Sequence, residues 1–90
     1  MLTQRIDVHC PGGLNLLISR QIFDVTMKHL SQVKLQRRNG PCANGRSMFE
    51  LLMLEARQGT HLRLKVDGPD EVKVIKQLSQ IFSMDLNRHD

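Results

Sequence analysis

The chain has 90 residues, of which 40% are hydrophobic, and a formal net charge of +4. This length suits a single domain over residues 1–90 with one core, and the hydrophobic share excludes a disordered chain. No apolar run reaches the roughly 20 residues of a membrane-spanning helix, and the N-terminus shows no signal-peptide pattern. We therefore expect a cytoplasmic protein that does not associate with membranes.

The first half of the chain predicts a strand, a helix and a hairpin. Hydrophobic residues alternate over residues 3–10, which is typical of a half-buried strand. Helical spacing over residues 16–30 predicts a helix whose buried stripe is Ile18, Ile22, Val25 and His29, with Phe23 and Leu30 alongside. Residues 31–38 alternate again, and Asn39-Gly40 predicts a turn into a short edge strand over residues 41–44.

The second half predicts a short helix, a strand and a longer helix. Over residues 47–54, Ser47 and Glu50 predict a capping box, in which each side chain accepts a hydrogen bond from the other residue's amide. Residues 60–67 form the clearest strand, with Leu62, Leu64 and Val66 inward. Pro69 is predicted at the first position of the last helix, followed by acids that suit its positive end. Its buried stripe comprises Val74, Ile75, Leu78, Ile81 and Phe82.

The resulting order is βαββαβα. It predicts an α+β open-faced sandwich, with a four-stranded antiparallel sheet and three helices on one face. Cys10, Cys42 and the four histidines lack the spacing of a metal site, and we expect no disulfide between the two cysteines. No catalytic triad, paired-acid site or P-loop occurs, so we expect no metal, no cofactor and no enzymatic activity.

Four short motifs occur in the order found in one known family. They are Gly-Gly-Leu-Asn-Leu-Leu-Ile at 12–18, Asn-Gly-Arg-Ser at 44–47, Gly-Thr at 59–60 and Asp-Gly-Pro-Asp-Glu at 67–71. Together they resemble the HPr family, the histidine-containing phosphocarriers of the bacterial sugar phosphotransferase system. The resemblance covers nearly the whole chain and implies a single HPr-like domain with the fold already predicted.

The resemblance also implies a changed active site. The family motif resembles Gly-Leu-His-Ala-Arg-Pro, in which the histidine accepts the phosphoryl group and the arginine stabilises its charge. This chain keeps Gly13 and Leu14 but has Asn15 at the acceptor position and Leu17 at the arginine position. A carboxamide nitrogen has no basic lone pair, so Asn15 cannot replace the imidazole. We interpret Asn15 as a helix cap and expect no catalytic residue.

Two further features follow from the resemblance. Ser47 matches the position at which a dedicated kinase phosphorylates some HPr proteins, so it is a candidate for regulation as well as a cap. Met48, Phe49 and Leu52 match the surface that docks to enzyme I and to sugar-permease domains, and we expect them to bind a partner. These three side chains could instead belong to the core or to a homodimer interface.

The leading hypothesis is an HPr-like protein without the acceptor histidine that regulates by protein–protein interaction. Its partners would be phosphotransferase-system components, an HPr kinase or a transcription regulator. An alternative is an atypical phosphocarrier that uses another residue, such as His9. A second alternative is a nucleic-acid-binding module that uses a basic outer sheet face comprising Arg5, Lys34, Arg38, Arg63 and Lys65. RNA-binding sheets stack bases on aromatic residues, whereas all three phenylalanines here fall on predicted helices, which disfavours nucleic acid.

Overall fold

A computed structural model describes residues 1–83 of the chain. Its strands are β1 (Leu2–Asp7), β2 (Gln32–Arg37), β3 (Cys42–Asn44) and β4 (His61–Asp67). Its helices are α1 (Leu16–Met27), α2 (Met48–Met53) and α3 (Glu71–Phe82). The order is βαββαβα, which confirms the predicted α+β open-faced sandwich.

The four strands form one antiparallel sheet in the order β1-β4-β2-β3. In the middle of the sheet, Leu64 of β4 pairs with Gln4 of β1 and with Leu35 of β2. Cys10 follows β1 and Cys42 begins β3, so the two cysteines belong to opposite edges, and both are free thiols.

One face of the sheet is buried under the three helices, and the other faces solvent. The predicted inward residues of β2 and β4 are all buried, whereas their neighbours along each strand are exposed or partly exposed. The helices complete the core with Ile18, Ile22, Leu51, Val74, Leu78, Ile81 and Phe82. Burial of each large apolar side chain contributes about 1.5–3 kcal/mol.

Helix α1 ends earlier than predicted. It stops at Met27, and His29 and Leu30 lie beyond it, so their predicted place on the helix is wrong. Leu30 is 76% exposed. The chain leaves the helix because the Asp70 carboxylate accepts hydrogen bonds from the amides of Leu30 at 3.1 Å and of Ser31 at 3.0 Å. Leu30 and Asp70 are 40 residues apart in the chain, so helical periodicity could not reveal their contact.

Two residues with hydroxyl side chains lie on the buried side of α1. Ser19 and Thr26 are fully buried beside Ile18 and Ile22, whereas Val25 is only partly buried. The Thr26 hydroxyl donates to the Ile22 carbonyl at 2.9 Å, and the Ser19 hydroxyl donates to a loop carbonyl before the helix. Because these hydroxyls are hydrogen-bonded within the chain, their burial carries little penalty.

The capping box of α2 is half correct. The Ser47 hydroxyl accepts from the Glu50 amide at 3.2 Å, as predicted. The reciprocal bond is wrong, because the Ser47 amide already donates to the Asn44 carbonyl at 3.0 Å. The Glu50 carboxylate accepts instead from the Asn44 amide at 2.9 Å, so it closes the turn before the helix.

The start of α3 and the end of β1 also differ from prediction. Helix α3 begins at Glu71, so Pro69 precedes the helix instead of occupying its first position. Asp70 occupies the N-cap position, but its carboxylate does not cap the amides of α3. It accepts hydrogen bonds from the amides of Leu30 and Ser31 instead. Strand β1 ends at Asp7, and the Val8 amide then donates to the Thr60 carbonyl at 2.9 Å, outside the regular ladder.

Candidate functional site

The loop before α1 is packed tightly against the loop after α2. Gly12 and Gly13 have φ angles of 81° and 66°, in the left-handed region. The Leu14 amide donates to the Ala56 carbonyl at 2.7 Å. A Cβ atom added at Gly13 would lie 2.4 Å from the Ala56 carbonyl oxygen. Only glycine therefore fits this approach, which fixes the position of Asn15.

Asn15 is the N-cap of α1. Its backbone is extended, and its Oδ1 accepts a hydrogen bond from the Ile18 amide at 3.0 Å. Its own carbonyl accepts from the Ser19 amide at 2.8 Å, the first bond of the helix. The capping role predicted for Asn15 is confirmed. One amide that could bind an anion at the helix N-terminus is therefore already satisfied by the carboxamide.

The cysteine beneath this loop does not supply a nucleophile. Cys10 is fully buried, and its Sγ donates to the Gly13 carbonyl at 3.6 Å. Burial raises the pKa of the Cys10 thiol, which favours its neutral form. Since the thiolate is the reactive form, Cys10 acts as a core residue.

The start of α1 presents an apolar surface where the family motif has charge. Leu17 is 61% exposed, and its neighbour Leu16 is similarly exposed. The nearest guanidinium on this side, Arg20, is paired with Asp24 at 3.0 Å one turn along the helix. A shallow groove of about 650 Å³ runs over this region and is lined by Asn15, Leu16, Leu17, Arg20, Phe23 and Met48.

Helix α2 extends the same apolar surface. Leu51 of α2 and Leu54, which follows the helix as its C-cap, are buried, and Met48 packs partly against the core. Phe49 remains 73% exposed and Leu52 39% exposed. We call the apolar residues that the two helices present to solvent, wholly or in part, the α1/α2 surface. Its members Leu16, Leu17, Phe49 and Leu52 are exposed, and its members Phe23 and Met48 are partly buried. No sequence motif indicates that Leu16 or Phe23 contributes to this surface. However, a helix that packs against the core on one side cannot bury two adjacent leucines, such as Leu16 and Leu17.

Ser47 stands at the edge of this surface as the N-cap of α2. It is partly exposed, and its hydroxyl caps the Glu50 amide. Arg46, which could neutralise a phosphate there, donates instead from Nη2 to the His29 carbonyl at 3.1 Å. A phosphate on Ser47 would therefore meet the helix dipole and backbone amides, with Arg46 engaged elsewhere.

The histidines at positions 9, 29 and 61 do not line the groove that Asn15 lines. His9 is exposed and lines a different groove, with Ile75, Ser79 and Phe82 of α3 among its neighbours. His61 lies on the outer face of the sheet and is hydrogen-bonded to Asp7. The structure therefore does not bring His9 together with Asn15 and Leu17, and His89 lies outside the described residues.

Residues 1–83 contain no group of three or more histidine, cysteine, aspartate or glutamate residues able to hold a metal ion. Over the same range, every helix is too short or too polar to cross a bilayer.

Comparisons with known proteins agree with this architecture. The family model described as "PTS HPr component phosphorylation site" matches residues 2–84. The phosphocarrier protein HPr of Neisseria meningitidis is 30% identical over 83 residues, covering 92% of each chain. The phosphocarrier protein NPr of Klebsiella oxytoca is 22% identical over 80 residues, covering 89% of each.

The fold matches solved structures of the same kind. The crystal structure of HPr-C-His from Thermoanaerobacter tengcongensis superimposes with a TM-score of 0.84 and 24% identity, covering 96% of this chain and all of that one. The family match spans almost the full length, and the first helix, the serine-capped second helix and the sheet all take the places that the family resemblance implies. The chain therefore belongs to the HPr family of phosphocarrier proteins of the phosphotransferase system.

Proposed function

We propose that this chain is a non-enzymatic, regulatory member of the HPr family that lacks the phosphoacceptor and acts in the cytoplasm by binding proteins through the α1/α2 surface. The observation that carries the proposal is the use of the Asn15 side chain. Its Oδ1 is committed to the Ile18 amide at 3.0 Å, and its nitrogen can only donate hydrogen bonds. Neither atom supplies the basic lone pair on which a phosphohistidine carrier depends.

The surroundings of Asn15 support the same interpretation. A phosphoryl group at this helix start would need cationic or amide donors. Leu17 is apolar, Arg20 is paired with Asp24, and the Ile18 amide is already capped. The site would therefore give a phosphoryl group little electrostatic stabilisation.

The α1/α2 surface has the character of a protein-binding site. It places a largely exposed phenylalanine beside leucines and a methionine, and aromatic and methionine side chains are enriched in interface cores. Met48, Phe49 and Leu52 are the residues that we propose to contact the partner. HPr-family proteins interact with other phosphotransferase-system proteins, and we propose partners of that system, an HPr kinase or a transcription regulator.

We further propose that Ser47 regulates this binding. Its hydroxyl lies at the N-terminus of α2, next to Met48 and Phe49 in the chain. Phosphorylation would add about two negative charges at the edge of an apolar surface. These charges would weaken the binding of an apolar partner, or they would strengthen the binding of a partner whose interface has a basic rim.

Binding of purified enzyme I and of a sugar-permease domain to the immobilised chain tests the proposal. Phe49→Asp is the informative variant, because residue 49 lies in the first turn of α2, where an acid suits the helix dipole. Val72→Asp is the matched control, since Val72 is 68% exposed on α3, away from the α1/α2 surface.

We expect Phe49→Asp to weaken binding by at least about tenfold, as loss of a central aromatic anchor does. Val72→Asp should bind like the unmodified chain, and both variants should melt like it. Equal binding by all three proteins, or equal loss in both variants, would refute the assignment of the α1/α2 surface. Failure of enzyme I and of the sugar-permease domain to bind would refute these phosphotransferase-system components as the partners.

A further inference from the structure

The outer face of the sheet brings several arginines together at one end. Arg5 of β1 pairs directly with Arg63 of β4, and Arg63 pairs on its other side with Gln36 of β2. Arg38 follows β2 in the turn toward β3. Because Arg5 and Arg63 alternate with buried residues along their strands, their side chains project from the face opposite the helices. Arg38 lines the same cavity from the turn.

Among residues 1–83 none of these arginines forms a salt bridge. The nearby carboxylate, Asp7, is held by His61, and that hydrogen bond keeps the pKa of Asp7 below its usual range, with a further lowering by the charge of Arg5. Like charges directly opposite each other on neighbouring strands are destabilising. The pairing of Arg5 with Arg63 therefore costs the free protein stability, which a bound anion would return.

The cluster lines an open depression in the outer face of the sheet. A cavity of about 460 Å³ opens here, within the size range of small-molecule pockets. Its lining includes the polar side chains of Arg5, Gln36, Arg38, Asn39, His61 and Arg63. Guanidinium groups bind phosphate oxygens in a bidentate manner, which distinguishes them from lysines as phosphate ligands.

We propose that this cavity binds a small molecule carrying two or more phosphate groups. Four arginines line this one cavity and can contact one compact polyanion: Arg5, Arg37, Arg38 and Arg63. His61, Gln36 and Asn39 can add further hydrogen bonds at its rim. A long single-stranded nucleic acid fits less well. All three phenylalanines lie on helices, so the sheet face has no aromatic ring on which to stack bases. The site lies on the face opposite the α1/α2 surface and is independent of the proposed function.

Calorimetric titration with tripolyphosphate at low ionic strength tests this site, with a single-stranded RNA oligonucleotide titrated in parallel. The variants are Arg63→Gln, at the centre of the cluster, and Arg38→Gln, in the turn. Arg57→Gln removes the same charge from an exposed loop outside the cavity and serves as the matched control. Thermal melting checks that each variant is folded.

We expect saturable binding of one tripolyphosphate per chain. Arg63→Gln and Arg38→Gln should each weaken it by at least about tenfold, because each removes a charge-assisted, bidentate contact. Arg57→Gln should change affinity by less than about twofold, because this exposed charge does not line the cavity and is screened by solvent. Equal weakening in all three variants would show diffuse attraction and overturn the proposal. Tighter binding of the RNA than of tripolyphosphate would also overturn it, in favour of an extended nucleic-acid surface.

Discussion

Helices α1 and α2 begin next to each other on one surface, and each is capped by the side chain of the residue before it. Asn15 caps α1 through the Ile18 amide at 3.0 Å, and Ser47 caps α2 through the Glu50 amide at 3.2 Å. A glycine lies two residues before each cap, at Gly13 and Gly45. The two helix starts therefore share a local design.

They differ in what the cap can do chemically. The Asn15 carboxamide can only exchange hydrogen bonds, and its neighbours Leu16 and Leu17 are apolar and exposed. The Ser47 hydroxyl can be phosphorylated, and Glu50 already shows that the turn before α2 tolerates a negative charge. Under the proposed function, α1 has lost the phosphoryl chemistry of its position, whereas α2 keeps a hydroxyl that could be modified.

The largest effect is expected from restoring the family's residues at the start of α1. The double variant Asn15→His with Leu17→Arg should acquire phosphohistidine from enzyme I at least about tenfold faster than Asn15→His alone. The reason is that the arginine supplies charge to the phosphoryl group in a way that Leu17 cannot. Rates are measured by intact mass. Equal rates in the two variants would show that the arginine position is unimportant.

Substitution of Gly13 and of Gly45 by alanine should lower the free energy of unfolding by different amounts. Gly13→Ala would force a left-handed φ of 66° on alanine and bring Cβ to 2.4 Å from a backbone oxygen. We expect a loss of about 2–3 kcal/mol in urea unfolding. Gly45→Ala meets the Thr26 Oγ1 at 2.7 Å without a positive φ, so the loss should be about 1 kcal/mol. A smaller loss at Gly13 than at Gly45 would contradict this ranking.

Removal of either cap should have a similar, moderate effect. Asn15→Ala and Ser47→Ala should each lower the free energy of unfolding by about 1 kcal/mol, since each leaves a helix amide without its acceptor. Ser47→Asp keeps an acceptor and should hold the melting temperature.

The same Ser47→Asp variant separates regulation from structure. A regulatory serine predicts that its partner affinity changes although the fold is intact. Equal binding by the unmodified chain and a fully folded Ser47→Asp variant would leave Ser47 as a cap alone.

Substitution of Asp70, at the start of α3, should have the smallest effect on stability, and that effect should depend on pH. Hydrogen bonds from Ser31, first from its hydroxyl, and from the Leu30 amide hold the pKa of Asp70 below its usual range. The folded state therefore binds fewer protons at Asp70 than the unfolded state. This contribution is present above about pH 4 and is lost as pH falls through the lowered pKa.

Asp70→Asn should make stability depend less on pH in the acidic range. It should also lower the free energy of unfolding at neutral pH. Unfolding measured from neutral to acidic pH checks the prediction. An unchanged slope in the variant would assign the acid sensitivity to other carboxylates.

Local pattern predicted most of the fold and failed where distant residues intervene. Alternation placed β2 and β4 to within two residues, because a half-buried strand shows its two faces directly in the sequence. The end of α1 was missed because Asp70, far along the chain, binds the amides after the helix. Thr26 was missed because a hydroxyl bonded to its own helix can replace an apolar residue in the core.

The candidate site was predictable only in part. The cap at Asn15 follows from residue type and position, and the apolar character of residues 48–54 indicated that some side chains must be exposed. The contribution of Leu16 and Phe23 depends on how α1 packs beside α2, which no local motif encodes. The cluster of Arg5 with Arg63 likewise depends on strand register across the sheet.

The most direct test of the central claim is the mass of the chain after incubation with enzyme I and phosphoenolpyruvate. An HPr that carries the family's histidine serves as the positive control in the same reaction. We expect the control to gain an acid-labile phosphoryl group and this chain to stay unmodified. Stoichiometric phosphohistidine on this chain, at His9 or at any other histidine, would contradict this expectation and identify a working phosphocarrier.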